Sequence, residues 1–209
     1  MHDTALLAGG LFAATYGKEG ASVLDVGGLN VNGSLRVAFE AKKMTYVCVD
    51  IEPHPSVDVV MKPGDVFPFP DESFDFIVST SCFEHDPCFW MTFREICRLV
   101  KKDGYIYINA PSNGPYHAHP GDNWRFYSDA GQALAFWSGQ TINGTSHPVT
   151  LVETFMISPM KDVWVDFVGI WKRTDTPEMG ILVAPETRRQ TGPLHAALKA
   201  HGASIITRA

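Results

Sequence analysis

Ser22-Val23-Leu24-Asp25-Val26-Gly27-Gly28-Leu29-Asn30-Val31-Asn32-Gly33 is the stretch that decides the fold. A short apolar run, Val23 to Val26, stops at a glycine pair. Two asparagines and a third glycine follow, and then a helical pattern begins. The run predicts a strand that turns sharply into a helix. Glycine lacks a Cβ and asparagine tolerates positive φ, so such a turn brings backbone amides close to a ligand. The helix start beyond it offers unpaired N–H groups. A second run, Thr45 to Val49, ends in Asp50. An acid at the end of the second strand, roughly 20 residues past the glycines, is placed to grip a pair of ribose hydroxyls. Together these features point to an adenosine-containing cofactor.

The chain has 209 residues, which suits one domain, and 45% of them are hydrophobic, enough for a sizeable core. A net charge of −6 argues against nucleic acid as a partner, because phosphate binding needs a basic face. The apolar runs fall short of a membrane span, and the opening Met-His-Asp-Thr lacks the basic and apolar regions of a secretory signal. Cys48, Cys82, Cys88 and Cys97 show no C-x-x-C pairing and lie in apolar patterns, so they read as reduced, buried thiols of a cytoplasmic protein.

Working outward, residues 3–16 predict an opening helix, 34–43 a second helix, 57–61 a short strand and 74–79 another. Asp86 and Pro87 fit the start of a helix whose stripe is Phe89, Phe93, Ile96 and Val100, with Gly104 ending it. A strand over 105–110 precedes a long loop, 111–127, and Ser128 suits the cap of a helix to about 138. The last two strands, about 149–157 and 163–172, are joined by Ser158-Pro159-Met160-Lys161-Asp162, a hairpin-length link that makes them antiparallel. Strands alternating with helices predict an α/β, doubly wound, mostly parallel sheet. Ligands bind such a sheet beyond the carboxyl ends of its strands, at the switch point beside the first.

The motifs Val-Leu-Asp25-Val-Gly27-Gly28, Val-Asp50, Asp65-Val66 before Pro-Phe-Pro, Phe74-Asp75-Phe-Ile-Val-Ser79 with Glu84-His85, and Leu99-Val100-Lys-Lys-Asp-Gly104 occur in order at suitable spacings. Over about residues 20–172 the chain resembles the class I S-adenosylmethionine-dependent methyltransferases. The resemblance implies a single Rossmann-like domain with a seven-stranded sheet ending in an antiparallel pair. It implies S-adenosyl-L-methionine as cofactor and a small-molecule acceptor. By the same resemblance Asp25 orients the glycine loop and reaches the amino-acid part of the cofactor, through water or directly, while Gly27, Gly28 and Asn30 shape the turn around it. Asp50 holds the ribose, Ile51 flanks the adenine, Asp65 and the Val66 amide read its edge, and Thr80 and Ser81 line the space near the sulfonium. The family's common pattern is acid-x-Gly-x-Gly-x-Gly, but Leu29 and Val31 stand at its second and third glycine positions. The turn is therefore expected to use asparagine in left-handed conformation.

The loop Pro115-Tyr116-His117-Ala118-His119-Pro120-Gly121-Asp122-Asn123-Trp124-Arg125-Phe126-Tyr127 gathers much chemistry on the ligand side of the sheet. It resembles a stretch of methyltransferases from glycan and natural-product pathways. One reading makes His117 or His119 the base, with His85 as the other candidate, and Asp122 its orienting partner. Arg125 then clamps the acceptor and Trp124 and Tyr127 stack on it. The other reading pairs Asp122 with Arg125 to hold the loop and gives the aromatics to the core. No metal is assigned, because His-x-His with Asp122 lacks an identifiable fourth ligand.

The function expected is methylation of a small molecule, first a hydroxyl of a sugar or glycan precursor. The rivals are an NAD-dependent oxidoreductase and a non-catalytic partner subunit of the same fold. Residues 1–173 form the expected domain, with 1–20 as a helix or lid. The tail 174–209 is expected to be partly disordered or to pack on a neighbour, a homodimer among the options, and Arg188-Arg189 reads as a solvated pair.

Overall fold

The structure, a computed structural model, describes residues 3–176 and 191–206. The elements run α1 (Asp3–Tyr16), β1 (Ser22–Val26), α2 (Arg36–Glu40), β2 (Thr45–Asp50), β3 (Val59–Val60), β4 (Phe74–Thr80) and α3 (Phe89–Leu99). They continue with β5 (Val100–Pro111), α4 (Asp129–Ser138), β6 (Val149–Ile157), β7 (Asp166–Arg173), α5 (Pro193–Ala200) and β8 (Ile205–Ile206). All strands join one sheet in the order β3-β2-β1-β4-β5-β7-β6-β8. The first five are parallel. β7 runs antiparallel to both β5 and β6, and β6 to β8.

Period-two alternation splits the core between the two faces. Leu24, Val26, Ile77, Ile106 and Ile108 meet α3 and α4 through Phe93, Ile96 and Leu134. Val23, Phe76, Val78 and Tyr107 meet α1, α2 and α5 through Phe12, Phe39 and Leu194. Fully buried Phe12 fixes α1, with its ring 4.8 Å from Tyr107 and 5.1 Å from Tyr16. Its burial contributes about 2 kcal/mol. On the opposite face buried Trp171 lies 5.1 Å from Phe93 and donates its indole N–H to Gly131 O at 2.8 Å.

Several expected boundaries move. Among the described residues the sheet has eight strands where seven were expected, because Ile205 and Ile206 pair with Ile157 and Met156. β3 shrinks to two residues. α2 is five residues long, and the chain leaves it through Lys43 at φ 58°. β5 starts five residues early, at Val100, across an irregularity opposite Phe74 and Phe76. Cys88, not Asp86, takes the α3 cap position, while Asp86 Oδ1 accepts the Cys88 N–H at 2.9 Å. Ser128 makes no capping bond.

The helix beyond the hairpin is anchored by a buried acid. Glu153 in β6 accepts the N–H groups of Gly192, Leu194 and His195 at 2.9 Å each, and the Tyr16 hydroxyl at 2.5 Å. One carboxylate thus satisfies the free amides at the start of α5 and ties it to α1. Arg188-Arg189 lie outside the described residues, as do 177–190 and 207–209 of the tail as a whole. Among the described residues no helix is long and apolar enough to cross a membrane.

Candidate active site

The carboxyl ends of β1, β2, β4 and β5 open onto one cavity of about 730 Å³, within the usual range of small-molecule sites. Its wall carries Gly27, Asp50, Ile51, Asp65, Thr80 and Ser81 of the expected cofactor residues, and His85, His117 and His119 of the expected bases.

The turn after β1 is tightly built. Gly27 sits at φ 73° and donates to Val49 O at 2.9 Å, and a Cβ there would stand 2.3 Å from Cys82 Sγ. A Cβ on Gly28 would meet Asp25 Oδ2 at 2.2 Å and Cys48 Sγ at 2.8 Å. The positive φ values fall on Gly27 and Gly33, so the expected left-handed asparagines are corrected. Asn30 is exposed and instead accepts the Gly33 N–H on its side-chain oxygen at 3.1 Å, which holds the turn from outside the cavity. Leu29 and Val31 form part of the wall rather than filling the space.

Asp25 and Gly28 lie beneath this turn, outside the wall. Asp25 is 2% exposed and accepts the Tyr46 hydroxyl. Burial pushes its carboxyl up to about 7, the nearby Asp50 charge adds to this, and the Tyr46 bond opposes it. Its direct reach to a ligand is thereby corrected to a supporting place under the loop. Asp50 is the half-buried counterpart on the rim. Its Oδ2 accepts the Leu29 N–H at 2.9 Å and its Oδ1 the Ile51 N–H at 2.7 Å. A carboxylate offers about four lone-pair sites, so acceptor capacity remains. Asp65 Oδ2 accepts the Lys62 N–H at 2.9 Å. Val66 is 75% exposed and outside the wall; Phe67 takes its place there.

Ser81, at the end of β4, adopts φ 51°, a costly conformation for a non-glycine residue. Its hydroxyl and that of Thr80 are buried without a partner although both residues line the cavity. Buried polar groups are seldom left so. Two orphan hydroxyls at the β4 end fit the polar amino-acid portion of an S-adenosylmethionine-like ligand, with Asp50 on the neighbouring rim for its ribose.

The loop after β5 closes the other side. Glu84 O accepts the Asn123 N–H at 2.7 Å, Asn123 Nδ2 donates to His85 O at 2.8 Å, and Phe126 N donates to Pro111 O at 3.0 Å. Asp122, with a side chain 2% exposed, receives Arg125 on both oxygens at 2.5 and 2.8 Å and the His117 N–H at 2.9 Å. The Arg125 bonds hold its carboxyl well below the ordinary range against the opposing effect of burial. Arg125 also donates to Pro115 O and Trp124 O, so it is a loop staple and not an acceptor clamp. Trp124 donates to Asp86 O at 2.9 Å and packs on Phe89 and Trp90, and Tyr127 is exposed; neither lines the cavity, and their stacking role is corrected.

Three side chains converge on the acceptor side. His85 Nδ1 donates to Gly121 O at 2.5 Å; a carbonyl only accepts, so the neutral ring keeps its lone pair on Nε2. Burial lowers the affinity of His85 for a second proton. Glu84 is 1% exposed, and burial pushes its carboxyl up to about 8. Its Oε1 lies 3.6 Å from His85 Nε2, and its Oε2 has no partner. The His117 ring stands 4.9 Å from that of His85 and 4.7 Å from that of Trp164, with Nδ1 3.3 Å from Asp122 Oδ2. His119 joins the wall at the edge, 6.1 Å from His85 between ring centres. Glu84 and Trp164 escaped the sequence reading. The pairing Glu84-His85 just past a strand was a signal for the first; nothing local marked the second, which comes from the β6–β7 link.

A methyltransferase-domain family model matches residues 2–145, more than half of the chain. An uncharacterised methyltransferase of Mycobacterium tuberculosis is 30% identical over 132 residues, covering 56% of this chain and 51% of that protein. The chain thus spans about half the length of the curated relatives it matches. Among solved structures, the 1,6-didemethyltoxoflavin-N1-methyltransferase of Burkholderia thailandensis, bound to 1,6-didemethyltoxoflavin and S-adenosylhomocysteine, superposes with a TM-score of 0.63. It is 20% identical, over 82% of this chain and 79% of that one. A sarcosine dimethylglycine methyltransferase assignment from Galdieria sulphuraria gives 0.57 at 16% identity, over 83% and 85%. These two likenesses concern the fold. By the family match, supported by its own motifs and topology, the chain belongs to the methyltransferase-domain family, the class I S-adenosylmethionine-dependent methyltransferases.

Proposed function

We propose that the protein transfers a methyl group from S-adenosylmethionine to a small molecule, with a hydroxyl of a sugar or glycan precursor as the first choice of acceptor. One observation carries the reading: a single cavity holds the Gly27–Asp50–Asp65 rim on one side and the Glu84–His85–His117 cluster on the other, with unpartnered Thr80 and Ser81 at the strand end separating them in the sheet. The bound cofactor supplies a methyl carbon already activated by a sulfonium. The chain's part is alignment, exclusion of water and handling of a proton. Asp50 and the Gly27 turn hold the nucleoside side. The acceptor oxygen attacks the methyl carbon, the carbon–sulfur pair returns to sulfur, and the hydroxyl proton leaves toward the histidine cluster. In the ion-free protein the receiving group is His117, whose ring is oriented by Asp122 Oδ2 at 3.3 Å from Nδ1. The cluster favours a protic oxygen, since a neutral amine needs no base. A reducing compartment such as the cytoplasm suits the four free cysteines.

Calorimetry with S-adenosylhomocysteine and with NAD tests the cofactor. Labelled S-adenosylmethionine with a panel of sugars and a metabolite extract, read by mass spectrometry, tests the acceptor. Saturable binding of S-adenosylhomocysteine with label transferred to an oxygen supports the reading, and His117→Ala should then lower turnover while sparing cofactor affinity. Binding of NAD without S-adenosylhomocysteine overturns it.

A further inference from the structure

The acceptor end carries donors and outer partners of a kind that a proton relay alone does not require. Glu84, His85 and His117 each offer one ligand atom, and these atoms lie within 4.8 Å of one another. Each has an outer partner or an open valence suited to an ion. His85 Nδ1 is committed to Gly121 O, which fixes the ring and leaves Nε2 to coordinate. His117 Nδ1 stands 3.3 Å from Asp122 Oδ2, and Asp122 is itself gripped by Arg125, giving the carboxylate–histidine arrangement that orients metal-binding imidazoles. Glu84 Oε2 is buried with no hydrogen-bond partner, an unmet need that a cation would satisfy.

We propose that Glu84, His85 and His117 form a three-ligand site for a divalent transition-metal ion of the zinc class, open on the cavity side to the acceptor's hydroxyl. Two imidazoles and one carboxylate favour zinc, cobalt or nickel over magnesium or calcium, which prefer all-oxygen shells. Three protein ligands with a free fourth position are the pattern of a reactive site rather than a structural one. In a tetrahedral zinc site neighbouring donors stand about 3.4 Å apart, so the widest pair here closes by a little over ~1 Å on binding. The Glu84–His85 pair, at 3.6 Å, already meets that spacing. His117, on a half-exposed ring, supplies the movement.

The role of the ion rests on the methyl-transfer reading; its binding does not. With the ion in place the two imidazole nitrogens are occupied, so activation passes from proton abstraction by His117 to coordination. The acceptor hydroxyl becomes the fourth ligand, its pKa falls as that of zinc-bound water does, and its proton is released to water before the oxygen attacks the methyl carbon.

The full chain, stripped with a chelator and dialysed, is titrated with Zn²⁺ by calorimetry and with Co²⁺ by visible absorption. One equivalent should bind, with a cobalt spectrum of low coordination number. Glu84→Gln and His117→Ala should each weaken that equivalent by more than about 100-fold, and Asp122→Asn by about 10- to 100-fold through the outer contact. Circular dichroism and melting of each variant establish that it is folded, and Glu84→Gln is close to isosteric. Absence of saturable binding, or affinity unchanged in Glu84→Gln and His117→Ala, overturns the site. S-adenosylhomocysteine affinity is read separately on the same samples. Its failure counts against methyl transfer and leaves the metal titration readable.

Discussion

Asp25 offers the sharpest test of the electrostatics under the glycine turn. Its carboxyl is buried and shifted up to about 7, with burial as the main cause. In the unfolded chain it returns to the ordinary value near 3.9. A raised acid binds more protons folded than unfolded between those limits, so its contribution to stability is fully present below about pH 4 and is lost as pH rises through about 7. The shift spans roughly 3 pH units, which at 1.36 kcal/mol per unit amounts to about 4 kcal/mol. Asp25→Asn keeps the shape and an oxygen for the Tyr46 hydroxyl but cannot ionise. Urea unfolding of both proteins from pH 4 to 8 isolates this residue, because other titrations largely cancel in the difference. The variant should gain on the wild type from about pH 4 to about pH 7 and level off above, by about 4 kcal/mol in all. Parallel stability curves would refute the reasoning, for they would mean that Asp25 ionises in the fold as readily as in water.

Four further outcomes follow from contacts already described. Gly28→Ala drives a Cβ into Asp25 and Cys48, and should cost about 2 kcal/mol in denaturant unfolding. Glu153→Gln places an amide among three N–H donors and the Tyr16 hydroxyl, and should cost about 3 kcal/mol, with hydrogen exchange fastest in α5. Asp50→Ala should raise the S-adenosylhomocysteine Kd about 100-fold, as two hydrogen bonds to a charged group are lost; an unchanged Kd removes the ribose assignment. Arg125→Ala frees the loop from Asp122, and should raise the acceptor KM about tenfold while the cofactor Kd moves less than about twofold.

The parallel half of the fold was legible because its strands are continuous apolar runs bounded by turn residues. Ser22–Val26 and Thr45–Asp50 were bounded correctly for that reason. The pair β6 and β7 was legible from a short link. β8 was not, since two isoleucines carry no period and pair only because β6 offers an edge. In the site, residues at strand ends could be placed by topology alone, as Asp50, Thr80 and Ser81 show. Loop residues were only partly legible: His85, His117 and His119 do line the cavity, but the roles of their neighbours were open. Arg125 and Asp122 read equally well as catalytic or structural until their mutual bonds were seen. Asn30 suggested positive φ, yet its side chain serves the turn by accepting from Gly33. The place of Glu84 just past a strand was legible, but its burial, which gives it a stake in the site, was not.

The bonds that hold the segment from Pro115 to Arg125 are largely its own: Arg125 to Pro115 O, Arg125 to Asp122, His117 to Asp122. Its attachment to the rest runs mainly through the backbone of Glu84 and His85 and the His85 ring. Such a segment behaves as a cartridge. Under the proposed methyl-transfer reading, swapping it between its two ends should change which acceptors are used while the rim around Asp50 stays intact.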